Sequence, residues 1–180
     1  MTSLESTLDR LVVDVVDYPK PGIVFKDITP LLADHAGFTE VVEALAAAGR
    51  DADGRPIVDK VLGMEARGFI LAAPVALALG AGFIPVRKAG KLPRETHAVS
   101  YSLEYGDATL ELHQDAVAPG ERVLLVDDVI ATGGTVAATV DLVRRSGAEV
   151  VGVAALMELA ALDGRSVIGA DVPITALMQV

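Results

Sequence analysis

With 180 residues, 52% of them hydrophobic and 22% charged, the chain is long enough to bury one core of ordinary size and too apolar to be disordered. A formal net charge of −10 opposes general binding to nucleic acid or to an anionic membrane surface, so any anion site has to be local. The absence of cysteine excludes disulfides, thiolate metal sites and a cysteine nucleophile, in keeping with a cytoplasmic protein.

We read one domain over residues 1–180, with no internal repeat, low-complexity tract or long linker. Residues 3–17 space Leu4, Leu8, Leu11 and Val15 at helical intervals, and "YPKPG" (18–22) stops that helix. Glu5, Asp9, Asp14 and Asp17 break its apolar stretch, which therefore does not read as a signal peptide. After the arm, "HAGFTEVVEALAAAG" predicts a helix ending at Gly49, and "PIVDKVLGM" (56–64) a buried strand. "EARGFILAAPVALALG" then predicts a helix closed by Gly80, and "GFIPVRK" begins the next strand. Residues 71–86 are the most apolar stretch, but Pro74, Gly80, Gly82 and Pro85 interrupt it and it is too short to span a bilayer. Within residues 98–115, "SYSLEYG" and "ATLELHQ" predict two antiparallel strands about a Gly-Asp turn. "ERVLLVDDV" is the clearest buried strand, and "GTVAATVDLVRRSG" a helix with Val136, Val140 and Val143 on one face and Gly147 at its end. "EVVGVAALMEL" is a last core strand, and a short tail containing "VPITALMQV" follows.

Strands alternating with helices predict an α/β fold, a largely parallel twisted sheet flanked by helices. Ligands bind such sheets at the carboxyl ends of the strands, where "GMEARG", "VRKAGKLPRET" and "DDVIATGGT" all fall. In the last, "ATGGT" leads from a strand into a helix N-terminus, whose amides and dipole favour a phosphate. Gly133 and Gly134 allow close backbone approach there, and Thr132 and Thr135 add hydroxyl donors; the alternative is an ordinary turn in which a threonine caps the helix. Asp127 and Asp128 just before it are costly to desolvate together unless something meets them. A diol, or a Mg2+ ion reached through water, suits both. A phosphorylated ribose therefore fits the pair and the loop together. Basic residues concentrate at Arg87, Lys88, Lys91 and Arg94.

"VLLVDDVIATGGT" (123–135) resembles the phosphoribosyl pyrophosphate signature of type I phosphoribosyltransferases. "DYPKPGIVFKDITPLL" (17–32), "GMEARGF" (63–69), "PVRKAGKLPRET" (85–96) and "YSLEYG" (101–106) narrow the resemblance to the adenine-specific branch of that family, across about 150 residues. It implies the type I phosphoribosyltransferase fold, with an N-terminal arm over about residues 1–32 and a hood hairpin over about 94–110. The implied reaction is purine salvage: phosphoribosyl pyrophosphate and Mg2+, with adenine, give AMP and pyrophosphate. By position, Ala131, Thr132, Gly133, Gly134 and Thr135 would cradle the 5'-phosphate, and Asp127 and Asp128 would hold the ribose hydroxyls with Mg2+ nearby, largely on substrate and water. Arg67, Arg87, Lys88 and Lys91 would bind pyrophosphate, with Arg87 reaching across a homodimer. On the hood, Glu104 would handle a base proton at N7 and Tyr105 would exclude water. Val24, Phe25, Lys26 and Leu159 would contact adenine. Many relatives have Arg at the position of Lys26, so a backbone contact suits that site better than a side-chain one. The three histidines, His35, His97 and His113, have no metal-ligand spacing and are read as incidental.

Two alternatives remain at the level of sequence. One is a phosphoribosyltransferase for another purine such as xanthine. The other is a non-catalytic regulator on the same fold, against which stand the acidic charge and the lack of a segment to spare for a nucleic-acid-binding region.

Overall fold

The computed structural model describes residues 3–102 and 107–180, and the chain divides into two compact units, residues 1–43 and 44–180.

In the first unit, Ser3 caps helix α1 (Leu4–Leu11) by accepting from the Ser6 amide, and α1 buries Thr7, Leu8 and Leu11. The helix stops there rather than at residue 17. Val13–Val16 instead form strand β1, antiparallel to β2 (Val24–Asp27), with Asp14 opposite Lys26 and Val15 opposite Phe25. Three β-branched valines around a single acid give up little on leaving a helix, and β2 supplies the ladder that a helical reading of the periodicity cannot see. "YPKPG" makes the turn, with a cis Tyr18–Pro19 bond and the Gly22 amide donating to Asp17 Oδ1. Short helix α2 (Thr29–Ala33), with a proline in its first turn, and most of α3 (His35–Ala46) complete the unit. A single 3-10 turn, Ala47–Gly49, carries α3 on to the glycine expected to end it.

The second unit is built on a seven-stranded sheet in the order β5-β6-β4-β3-β7-β8-β9. Its strands are β3 (Lys60–Met64), β4 (Gly82–Lys88), β5 (Thr96–Ser102), β6 (Asp107–His113), β7 (Arg122–Ile130), β8 (Glu149–Glu158) and β9 (Ile174–Gln179). The run from β4 through β3, β7 and β8 to β9 is parallel, and the β5–β6 hairpin joins antiparallel at one edge. The expected α/β class therefore holds, with one strand more than expected: the tail, placed in no element, is β9. Its ladder partner is β8, more than fifteen residues back in sequence, so no local pattern announces it. The strand expected over 56–64 starts only at Lys60.

Buried β-branched and leucine side chains explain the central strands: Leu62, Leu124, Leu125, Val126 and Val153 are fully buried, each contributing about 1.5–3 kcal/mol by leaving water. Helix α4 (Gly68–Leu79) ends on Gly80 in the left-handed conformation (φ +66°), as expected. Helix α5 (Gly134–Arg145) buries Val136, Val140 and Val143. A short helix α6 (Gly164–Ile168) lies between β8 and β9.

Candidate active site

Strands β4, β3 and β7 are neighbours, and the chain leaves them in opposite directions: β3 leads through α4 to β4, β7 through α5 to β8. Their carboxyl ends therefore lie at a topological switch point, where an open sheet leaves a crevice. A cavity of about 370 Å³ occupies this place, lined by Glu65, Ala66 and Arg67 after β3 and by residues 127–136 at the end of β7. The convergence of "GMEARG" and "DDVIATGGT" expected from sequence is thus present, and "VRKAGK" joins them through Glu65.

The acid pair sits inside β7, one residue pair short of its end, and is buried: Asp127 is 9% exposed and Asp128 5%. The Asp128 amide donates to Asp127 Oδ1 at 2.9 Å, and Arg67 Nη2 lies 2.7 Å from Asp128 Oδ2. Burial, and after it the Asp128 charge, pushes the Asp127 carboxyl well above its ordinary range. The first residue of α4 explains the close packing: a Cβ on Gly68 would stand 2.7 Å from Asp127 Oδ1 and 3.0 Å from the Val126 carbonyl oxygen. Only glycine lets the positive end of α4 press directly on this carboxylate.

Beside the pair, the loop 131–135 enters α5 with Gly133 as N-cap at φ +82° and no side-chain cap. The threonine-cap alternative is therefore not what the chain does. Thr135 Oγ1 instead lies 2.9 Å from the Tyr101 hydroxyl, tying β5 to the first turn of α5. The amides of that turn are the ones a helix leaves without intrahelical acceptors, which suits the loop to an anion.

The basic cluster converges on a residue that sequence reasoning left without a role. Glu65 Oε2 accepts from Arg87 Nε (3.0 Å) and the Lys88 amide (2.9 Å), and Oε1 from Lys91 Nζ. Burial pushes Glu65 upward, but hydrogen bonds from Lys91, the Lys88 amide and Arg87 outweigh it and bring the carboxyl down to about 2. The Arg87 guanidinium also lies over the Phe69 ring, 5.8 Å from its centroid. Arg94 pairs with Asp115 instead and stands apart from this cluster.

The remaining expected site residues are carried by other elements. Leu159 follows β8, half-buried, its amide donating to the Ile130 carbonyl at 2.9 Å. Val24, Phe25 and Lys26 are on β2 of the first unit. There Phe25 meets Tyr18 edge-on at 5.3 Å and, with Val15, Tyr18 and Asp27, lines an open pocket of about 300 Å³, while Lys26 Nζ pairs with Asp14 at 2.6 Å. Glu104 and Tyr105 lie outside the described residues. Among the described residues, no group of three or more histidine and carboxylate side chains could hold a metal ion, and no helix is long and apolar enough to cross a membrane.

Sequence reasoning missed Glu65, Gly68, Tyr101 and Gly164 as parts of the site. Glu65 and Gly68 fall within the quoted "GMEARGF" motif and Tyr101 opens the quoted "YSLEYG", whereas Gly164, which packs against Gly133 and Ala131, lies in none of the quoted motifs.

Comparison with known proteins bears directly on this cleft. The family model for the phosphoribosyl transferase domain matches residues 29–172. An adenine phosphoribosyltransferase of Nocardioides sp. is 69% identical over 170 residues, covering 94% of this chain and 91% of the relative. Among solved structures, the adenine phosphoribosyltransferase of Rhodothermus marinus superposes with a TM-score of 0.89 at 51% identity, covering 98% of each chain. The enzyme of Saccharomyces cerevisiae, solved with adenine and an imino-altritol bisphosphate, superposes with a TM-score of 0.91 at 36% identity, covering 98% of this chain and 99% of that one.

Proposed function

The chain belongs to the phosphoribosyl transferase domain family, and from that premise we propose that its cleft moves the 5-phosphoribosyl group of phosphoribosyl pyrophosphate to N9 of adenine, releasing AMP and pyrophosphate. The observation that carries this reading is one cleft that combines a strand-to-helix loop suited to a phosphate with two buried carboxylates suited to a diol. The names of the relatives supply adenine as the acceptor.

In this reading the amides of residues 131–135 bind the 5'-phosphate, and Asp127 and Asp128 accept hydrogen bonds from the ribose hydroxyls. Arg67, Arg87, Lys88 and Lys91 hold the departing pyrophosphate, on which negative charge grows as the ribosyl carbon becomes cationic. The site sets the cations of Arg67, Arg87 and Lys91 against the carboxylates of Glu65, Asp127 and Asp128, so its balance suits an anion that arrives partly neutralised. The donor set is of hard oxygens and too few to cage an ion, which fits Mg2+ held chiefly by substrate oxygens, with Asp127 and Asp128 reached through water. When bound, Mg2+ supplies charge neutralisation on pyrophosphate. Val24, Phe25, Lys26 and Leu159 contact adenine, backbone groups separating a 6-amino from a 6-oxo purine because a mismatch leaves a buried donor or acceptor unpaired. Glu104 handles the proton at N7 and Tyr105 excludes water.

The protein works as a cytoplasmic homodimer. Supporting the dimer, Ile70 and Leu77 share one face of α4 and are 44% and 83% exposed, an apolar surface that a second copy would cover. The deciding assay offers adenine, hypoxanthine, guanine, xanthine and orotate with phosphoribosyl pyrophosphate and Mg2+. AMP formation from adenine is the expected result. Turnover of another base with none of adenine overturns the reading.

A further inference from the structure

The segment that follows β8 returns against the back of the 131–135 loop, and the contact is backbone to backbone. A Cβ on Gly133 would overlap the Gly164 carbonyl, 3.0 Å from its carbon. A Cβ on Gly164 would overlap the Ala131 carbonyl oxygen and stand 3.0 Å from the Gly133 nitrogen and from Ile130 Cγ2. Neither glycine has room for a methyl group, so the two stretches of chain rest on each other with no side chain between them to yield.

That resting point is held at both ends. Leu159, first residue after β8, donates its amide to Ile130, the last residue of β7 before the loop. At the other end Arg165, next to Gly164, grips Glu158 with Nε at 2.7 Å and Nη2 at 2.8 Å, and Nη1 reaches the Ile174 carbonyl at 3.3 Å. The Glu158 side chain is 5% exposed and takes a third hydrogen bond from Gln179 at 3.1 Å. Arg165 also holds the Glu158 carboxyl below its ordinary value. Residues 158–165 are thus a short strap, cross-tied where it leaves the sheet and bearing on the loop at Gly164.

We propose that Glu158, Gly164 and Arg165 are positioning residues for the loop 131–135: the strap sets how deep that loop sits and so where a ligand's 5'-phosphate can be bound. This rests on the assignment of the loop to the 5'-phosphate made above. Leu159 belongs to the same strap, so the wall offered to the base and the support behind the phosphate loop are parts of one short stretch of chain. A bidentate guanidinium–carboxylate pair fixes orientation as well as distance, which an ammonium in the same place does not. The pyrophosphate residues Arg87, Lys88 and Lys91 are anchored instead on Glu65, between β3 and α4.

Calorimetric titration of the full chain with ribose 5-phosphate, AMP and magnesium pyrophosphate tests this, using wild type, Arg165→Lys and Gly164→Ala. A loop shifted enough to lose one charge-assisted hydrogen bond to the phosphate binds roughly 10- to 100-fold more weakly. Ribose 5-phosphate and AMP should therefore bind at least tenfold more weakly in both variants, with magnesium pyrophosphate within about twofold of wild type. Should Gly164→Ala not fold, Arg165→Lys, which keeps the charge and most of the volume, carries the test alone. Unchanged ribose 5-phosphate affinity in folded Arg165→Lys overturns the proposal, and so does an equal loss for pyrophosphate, which marks general damage. Wild-type protein that binds neither ribose 5-phosphate nor AMP overturns the assignment of the loop itself, and the strap's role with it.

Discussion

Replacing Asp127 by Asn should make the protein more stable and less competent at once. Asp127 and Asp128 are adjacent and almost wholly buried, with Arg67 on Asp128. Unit charges on adjacent carboxylates repel by about 3–4 kcal/mol at an effective dielectric near 20, and a half-exposed Arg67 offsets part of that. Asparagine keeps the oxygen that accepts from the Asp128 amide, so the substitution removes the charge and little else. The gain expected at neutral pH is about 1–2 kcal/mol, which in a chain of this length raises Tm by roughly 2–8 °C.

The pH dependence follows from the direction of the shift. Burial and then Asp128 raise the folded carboxyl above its unfolded value of 3.8, so the wild-type contribution is complete below about pH 3.8 and is lost as pH rises through the raised value. The stability gap between Asp127→Asn and wild type should therefore widen from pH 5 to pH 8 in thermal unfolding. Ribose 5-phosphate, deprived of a charged acceptor, should bind roughly 10- to 100-fold more weakly, a loss of about 1.5–3 kcal/mol. Inorganic phosphate, which has no ribose diol to lose, should bind more tightly. A variant less stable than wild type at pH 8 refutes the electrostatic argument, and unchanged ribose 5-phosphate affinity refutes the assignment of the acid to the ribose.

Glu65→Gln frees Arg87 and Lys91 from their shared anchor, so KM for phosphoribosyl pyrophosphate should rise roughly tenfold with kcat less affected; steady-state kinetics showing an unchanged KM would remove Glu65 from the site. Because the folded Glu65 carboxyl is lowered from 4.5 to about 2, its contribution to stability is complete above about pH 4.5 and disappears as pH falls through about 2. Acid unfolding of Glu65→Gln should accordingly differ from wild type at pH 5 and converge with it near pH 2. Leu77→Asp places a charge on the exposed apolar face of α4 and should give a monomer in sedimentation velocity with Tm little changed; a dimer as tight as wild type would move the interface elsewhere. Glu104→Gln should keep AMP affinity within a few-fold while kcat falls by roughly 100-fold or more, and undiminished turnover would take Glu104 out of the mechanism.

Much of this was legible because it is local. The apolar runs and their glycine stops placed β4, β7, β8, α4 and α5 close to their final bounds, and alternation of strand with helix is enough to require parallel pairing. The acid pair and the loop after it were readable for the same reason: a strand end, two carboxylates and a glycine turn are consecutive in the chain. Residues 12–17 failed because their periodicity fits a helix while their valines prefer a strand, and the deciding partner, β2, lies across a proline turn. The tail failed likewise, since β9 is a strand only because β8 offers its edge.

What stayed hidden in the site is of the same kind, and Gly133 shows why. Read along the chain, it is a glycine that admits a ligand to the backbone. In the fold its φ of +82° and the Gly164 carbonyl behind it supply two further reasons for glycine, neither of which involves a ligand. Glu65 repeats the lesson in charge: beside Arg67 it looks like the wrong sign for an anion site, until Arg87 and Lys91, 22 and 26 residues on, close upon it. Under the proposed assignment, a carboxylate with those partners does not repel the anion so much as fix the cations that receive it. The quoted motifs therefore name residues without their partners: what Glu65, Gly68 and the strap from Glu158 to Arg165 rest on is defined by contacts that only the folded chain makes.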